Sequence, residues 1–111
     1  MGRLCAVPTR GEGLSCARLN GRFLHIRLRS GGERLLLAGR THHHALKKLL
    51  QAEGVPPWLR TRLPLLYLDH ELAAVADRWV CAAYQARDGE NGLKIVWEPF
   101  AGTAGVSEKD R

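Results

Sequence analysis

The sequence predicts an α+β domain: strands, then a two-helix insert, then more strands. Three observations predict it. Leu24, Ile26 and Leu28 alternate with His25, Arg27 and Arg29, the period of two that marks a strand. Between residues 41 and 53 the period becomes helical, with Ala45, Leu46, Leu49 and Leu50 on one face and His44, Lys47, Lys48 and Gln51 on the other. After Pro64, short apolar runs separated by turn residues return to strand length.

Each element follows in order. Residues 4–7 read as a strand broken by Pro8, Gly11 and Gly13, and residues 14–19 resume it. Asn20-Gly21 is a two-residue hairpin signal, because both central positions of a type I′ turn need positive φ. Residues 22–29 form a half-buried strand, aliphatics inward and cations outward. Ser30-Gly31-Gly32 turns the chain, and residues 33–38 form another strand. Thr41 is placed to cap the first helix and Gly54 to end it. Pro56-Pro57 stops continuation, and Pro57 or Trp58 opens a short second helix that runs to Arg62 and is halted by Pro64. Residues 65–68 are a buried strand, Asp69-His70 a turn, and residues 71–80 the return strand. Residues 81–86 extend it or bend away, 88–92 are a loop, and 93–97 are the last strand. Trp58 is expected to pack in the core or wedge between helix and sheet, and Trp79 and Trp97 to be structural. By domain, residues 1–21 read as a linker or N-terminal hairpin, 22–100 as the folded domain and 101–111 as a flexible tail.

The 111 residues suit one domain with a single modest core. Three scattered cysteines without CxxC spacing fit neither a disulfide framework nor a zinc site, so a reducing cytoplasm is expected. No apolar run has the length of a membrane span. The net charge of +6 is unevenly spread: from Arg18 to Arg62 there are ten Lys/Arg against two Asp/Glu, whereas the remainder is net acidic. Such asymmetry points to a polyanionic partner, with a basic surface kept for solubility as the bland alternative.

Catalytic readings fare worse. Ser30-Gly31-Gly32-Glu33-Arg34 begins like the SGGxDS loop that holds ATP pyrophosphate, but Arg34 and Leu35 replace the later Asp and Ser, and a strand follows where a helix N-terminus is needed. His42-His43-His44 point in different directions in the first turn of a helix and do not converge on a metal. Asp69-His70-Glu71 reads as a solvated hairpin tip, and the cysteines have no neighbouring His or basic helix start. No catalytic, cofactor or metal residues are therefore assigned. The cations form the coherent set: Arg27 and Arg29 on a strand, Arg34 after the glycine turn, Arg40 before the helix, Lys47 and Lys48 on its polar face, and Arg60 and Arg62 at the second helix. Phosphate contacts of this kind position a protein without reading sequence. With aromatics at 6%, base-stacking platforms are not favoured, which points to folded or double-stranded RNA read by shape.

An ordered series of motifs adds to this. Residues 31–35 (Gly-Gly-Glu-Arg-Leu), Gly39-Arg40, residues 46–51 (Leu-Lys-Lys-Leu-Leu-Gln), residues 54–60 (Gly-Val-Pro-Pro-Trp-Leu-Arg), residues 62–67 (Arg-Leu-Pro-Leu-Leu-Tyr), then 72–76 and Trp79-Val80, resemble the C-terminal domain of tRNA(Ile)-lysidine synthetase over residues 22–98. The resemblance implies a three-layer fold, with β-sandwich strands and a helical layer, similar to a domain of the phenylalanyl-tRNA synthetase beta subunit. It implies a parent ligase that uses ATP and magnesium to attach lysine to the wobble cytidine of an isoleucine tRNA, with the chemistry in an N-terminal catalytic domain. The present chain is then expected to be inactive alone and to hold tRNA(Ile), at the acceptor stem, through Arg29, Arg34, Arg40, Lys47, Lys48, Arg60 and Arg62, to which the basic strand face adds Arg27. Leu36 stands where relatives carry a further basic residue, and the His42–His44 run lies outside the pattern. The alternative is an assembly module whose apolar strands bury against the catalytic domain or, in a homodimer, a second subunit.

Overall fold

The computed structural model describes residues 2–98, and the fold is α+β, built from antiparallel sheets and short helices. The proposed tail at 101–111 and the last residues of the 22–100 span lie outside the described residues. The first sheet has the order β1-β9-β2, from β1 (Arg3–Arg10), β2 (Leu14–Ser15) and β9 (Asn91–Glu98). β1 runs antiparallel to β9 along its whole length, from Arg3 opposite Glu98 to Arg10 opposite Asn91. The segment read as a linker or N-terminal hairpin thus supplies two strands, and both pair with the last strand rather than with each other.

That arrangement depends on two glycines. The chain must pass the end of β9 within three residues, and a Cβ on Gly13 would sit 2.3 Å from the Leu93 carbonyl oxygen. Gly13 also has φ +79°, a conformation that L side chains rarely adopt. From the other side, a Cβ on Gly92 would lie 2.0 Å from the Glu12 carbonyl oxygen.

The second sheet has the order β3-β6-β7-β8, from β3 (Leu24–Arg27), β6 (Leu65–Leu68), β7 (Glu71–Val75) and β8 (Trp79–Val80). β6 is interior, and Leu65, Leu66 and Leu68 are fully buried. Between β2 and β3 the chain makes a single helical turn, α1 (Cys16–Leu19). Asn20-Gly21 is therefore not a hairpin loop: Asn20 ends α1, and the Arg22 amide donates to the Leu19 carbonyl at 3.1 Å. The two flanking strands belong to different sheets, so no ladder exists for a hairpin to join. The expected 71–80 strand is likewise divided, because Ala76 takes φ 46° and turns β7 back on β8.

The third sheet is a small hairpin, β4 (Arg34–Leu35) with β5 (His44–Ala45). Past Leu35 the expected 33–38 strand leaves this ladder. Leu37 bridges Cys81, and the Leu36 carbonyl accepts from the Ala82 amide at 2.7 Å. The helix also begins later than expected. α2 is Leu46–Ala52, because His44 and Ala45 are committed to β4 and the Leu46 amide donates to the Glu33 carbonyl at 2.9 Å. Thr41 and the three histidines consequently lie outside the helix, and Ala45 occupies the cap position with no side-chain bond. Gly54 ends the helix at φ 72°, as its position implied. Leu46 and Leu50, one turn apart, are buried, and Lys47, Lys48 and Gln51 are exposed. α3 (Pro57–Arg60) follows at once, and Val55 and Leu63 on either side of it enter the core.

Two expectations about burial are overturned. Leu24, Ile26 and Leu28 do not face inward into a covered core but are 43–49% exposed, at or just beyond the edge strand β3 of the second sheet. Trp58 is 70% exposed instead of packed. In a helix of one turn, half-buried Leu59 and the flanking Val55 and Leu63 occupy the inward positions, leaving Trp58 outside. Trp97 is buried and Trp79 half-buried.

Gly13→Ala is expected to lower stability by more than about 2 kcal/mol, since both the conformation and the space forbid a Cβ. Gly31→Ala, with nothing within 4 Å of the added atom, retains more stability. Urea denaturation of the two variants checks this; equal losses would contradict it.

Candidate nucleic-acid interface

The cations singled out from the sequence fall into two structural groups. The first is built on the β4–β5 hairpin and the helix that leaves it. Arg34 is exposed on β4 opposite Ala45, and α2 continues directly from β5 with Lys47 and Lys48 exposed in its first turn. Arg40, in the connecting loop, donates from Nη1 to His44 Nε2 at 3.1 Å, which ties the loop to β5. The second group lies where β3 meets β6. Arg27 pairs with Leu65, three residues beyond Arg62, and its guanidinium sits 4.8 Å from the centre of the Tyr67 ring. This cation–π contact leaves the charge exposed while orienting the side chain. Arg29 is half-buried, and its Nε has no hydrogen-bond partner among the described residues. Arg60 is different: its Nε donates to the Val55 carbonyl at 2.6 Å and closes the α2–α3 connection. Arg62 remains exposed.

None of these eight cations enters an ion pair among the described residues; the pairs present both involve Arg22. Arg22 was not among the sequence candidates. Its Nε binds the Asp69 carboxylate at 3.0 Å and its guanidinium lies 5.4 Å from the Tyr84 ring centre. Tyr84 donates its hydroxyl to Glu71, and burial followed by this bond holds the phenol above its ordinary pKa. The 69–71 turn is an exposed hairpin tip, as expected, but its carboxylates anchor the entry to β3. Residue 22 lies 47 positions from residue 69, so no local pattern connects them.

The glycine turn also has a definite occupant. Glu33 accepts from the Ser30 amide at 2.7 Å, the Gly31 amide at 3.1 Å and the Ser30 hydroxyl at 3.2 Å. Successive backbone amides of this kind form an anion cradle, and here it is filled by the chain's own carboxylate. Partial burial pushes the Glu33 carboxyl up, but the bonds from these amides and the hydroxyl outweigh it and hold the group below the ordinary carboxylate value. A strand, β4, follows the turn.

No group of three His, Cys, Asp or Glu side chains is arranged to hold a metal ion among the described residues. Burial pushes the Cys81 thiol up to about 11, so it is protonated at neutral pH. No helix among the described residues is long and apolar enough to cross a membrane. What the arrangement offers is positive charge without ion pairs among the described residues, exposed at Arg27, Arg34, Arg40, Lys47, Lys48 and Arg62 and suited to phosphate contacts.

Comparison with known proteins agrees with the sequence series. A family model described as the TilS substrate C-terminal domain matches residues 24–97. The tRNA(Ile)-lysidine synthase of Xanthomonas campestris pv. campestris (strain 8004) is 45% identical over 78 residues, 70% of this chain and 18% of that protein. The tRNA(Ile)-lysidine synthase of Nitrosomonas europaea is 39% identical over 87 residues, 78% of this chain and 19% of the relative. That of Coxiella burnetii is 36% identical over 99 residues, covering 89% and 22% respectively. The chain therefore spans about a fifth of the length of the curated relatives it matches.

Glu33 also sets a pH dependence. A carboxyl whose folded value is depressed stabilises the fold above its unfolded value, near 4.3, and that contribution is lost as pH falls through the folded value. Glu33→Gln should cost no more than about 1 kcal/mol at pH 7, because the group is partly exposed. The cost should shrink as pH drops below about 4. Denaturant titrations at both pH values check this, and a pH-independent cost would contradict it.

Proposed function

Because the chain belongs to the TilS substrate C-terminal domain family, we propose that it is the tRNA-binding part of a tRNA(Ile)-lysidine synthase, gripping RNA phosphates through a basic face. The observation that carries this reading is the set of eight cations, Arg27, Arg29, Arg34, Arg40, Lys47, Lys48, Arg60 and Arg62, none neutralised by an ion pair among the described residues. Unpaired cations repel one another in the free domain, and a polyanion relieves that repulsion. Binding releases counterions condensed on the RNA, which supplies affinity without reading bases. The expected ligand is the acceptor stem of tRNA(Ile), recognised by shape and backbone.

On this reading the parent enzyme is the ATP-dependent ligase that forms lysidine in the cytoplasm. ATP and magnesium act in a catalytic domain outside this chain, and the chain alone turns over no substrate. We read the antiparallel sheets and the α2–α3 pair as the layers of a three-layer architecture, a reading that the family match supports.

A second reading has its own supporting observation. Phe23, Leu24, Ile26 and Leu28 are exposed at the edge of the second sheet, an apolar strip that suits assembly with the catalytic domain or a second copy.

Two outcomes are expected. Lys47→Glu with Lys48→Glu should weaken tRNA binding at least about tenfold, and affinity should fall steeply with salt. Both lysines are exposed, so the thermal midpoint should hardly move. Arg62→Glu should behave alike, whereas Arg60→Glu should also destabilise the fold, because it removes the bond to Val55. Binding indifferent to salt and to these changes would refute the phosphate-gripping face. Sedimentation at several concentrations addresses the second reading: a monomer is expected, and a tight dimer without RNA would favour assembly.

A further inference from the structure

We propose that Trp58, with Arg62 four residues on in the same short turn, forms a stacking platform for an unpaired nucleobase at the margin of the basic face. The inference rests on the RNA-binding reading and adds to it a contact that phosphate gripping does not provide.

Four observations carry it. Trp58 is 70% exposed, although an indole is among the side chains most strongly driven to bury apolar surface. Its backbone is held rigidly: Pro57 opens α3, and the Leu59 and Arg60 amides both donate to the Pro56 carbonyl, at 2.9 and 3.1 Å. Past α3 the chain makes a tight turn, with Thr61 at αR φ and ψ and the Arg62 amide donating to the Leu59 carbonyl, three residues back, at 3.0 Å. Residues 58 and 62 lie at either end of this short turn and are both exposed, while half-buried Leu59 and buried Leu63 are the inward residues. Finally, Arg60 is turned back to the Val55 carbonyl, which leaves the exposed indole as the large outward group of α3.

An exposed flat apolar ring four residues from a guanidinium without an ion pair among the described residues suits one class of ligand, a nucleotide whose base has left the helical stack. The base covers the indole and its phosphate meets Arg62. Every base has a π face, so such a platform tolerates any sequence. It favours an RNA in which a duplex ends in a single strand, because bases inside the duplex are already stacked on one another. A purely aliphatic protein partner would gain from Trp58 but would leave Arg62 without a counter-charge.

The test compares two RNAs: a blunt-ended hairpin, and the same hairpin with a four-nucleotide 3′ extension carrying 2-aminopurine at its first unpaired position. Trp58→Ala should weaken binding of the extended RNA about tenfold, leave the blunt hairpin within about twofold, and abolish the quenching of 2-aminopurine seen with the unaltered chain. Trp58→Phe should keep most of the affinity. Because residue 58 is exposed, the thermal midpoint should shift by less than about 4 °C, so lost binding is not lost folding. If Trp58→Ala binds the extended RNA as tightly as the unaltered chain while the Lys47/Lys48 reversal still weakens it, the platform is refuted and the basic face stands. If the charge reversal has no effect either, the RNA-binding reading itself fails. Equal losses for the blunt and extended RNAs would also overturn the platform.

Discussion

The burial of Leu65, Leu66 and Leu68 in the interior strand β6 is the constraint on which the outward-facing parts of this domain depend. β6 has strand partners on both edges, and successive Leu65 and Leu66, which point to opposite faces, are both buried, so a slip of its register would disturb both faces. Among the described residues the strand pairing of β3 is to β6, and through it Arg27 and the Tyr67 contact are placed. α3 enters β6 across Leu63 and Pro64, both buried, which ties the exposed side of that helix to the same anchor. Each fully buried leucine contributes roughly 1.5–3 kcal/mol, more than the exposed charges can withdraw by repelling one another.

Around this core the charges are sorted rather than neutralised. The acids that lie near cations are used for local purposes: Asp69 and Glu71 hold Arg22 and Tyr84, and Glu33 fills the amide cradle of its own turn. The remaining cations of residues 27–62 are left without ion pairs among the described residues. Surface ion pairs are worth little to stability, so leaving these open costs the fold little and keeps the positive field available to a partner. The β4–β5 hairpin and α2, which carry Arg34, Lys47 and Lys48, are anchored by buried Leu35, Leu46 and Leu50, and α3 packs inward through half-buried Leu59.

Much of this was legible along the chain because it is local. The amphipathic pattern of residues 45–50 identified α2 and its exposed lysines, and the 65–68 run identified the buried strand. The stop at Gly54 and the restart at Pro57 followed from backbone chemistry alone. The failures share a different cause. The start of α2 was misplaced because the Leu46 amide is claimed by Glu33, a partner 13 residues away. The turn at Ala76 carries no Gly or Pro to announce it, so β7 and β8 read as one strand.

The sequence by itself determined the α+β class, the concentration of positive charge between Arg18 and Arg62, and the motif series that marks the family, since composition, periodicity and spacing are properties of the chain order. Tertiary structure alone decided which apolar residues are covered. Leu24, Ile26 and Leu28 have the alternation of a core strand yet lie on an edge, and Trp58 has the composition of a core residue yet lies outside, because burial depends on what distant segments bring against a face. It also decided that residues 3–10 join β9, for strand pairing between chain ends depends on backbone hydrogen bonds that side-chain patterns do not specify.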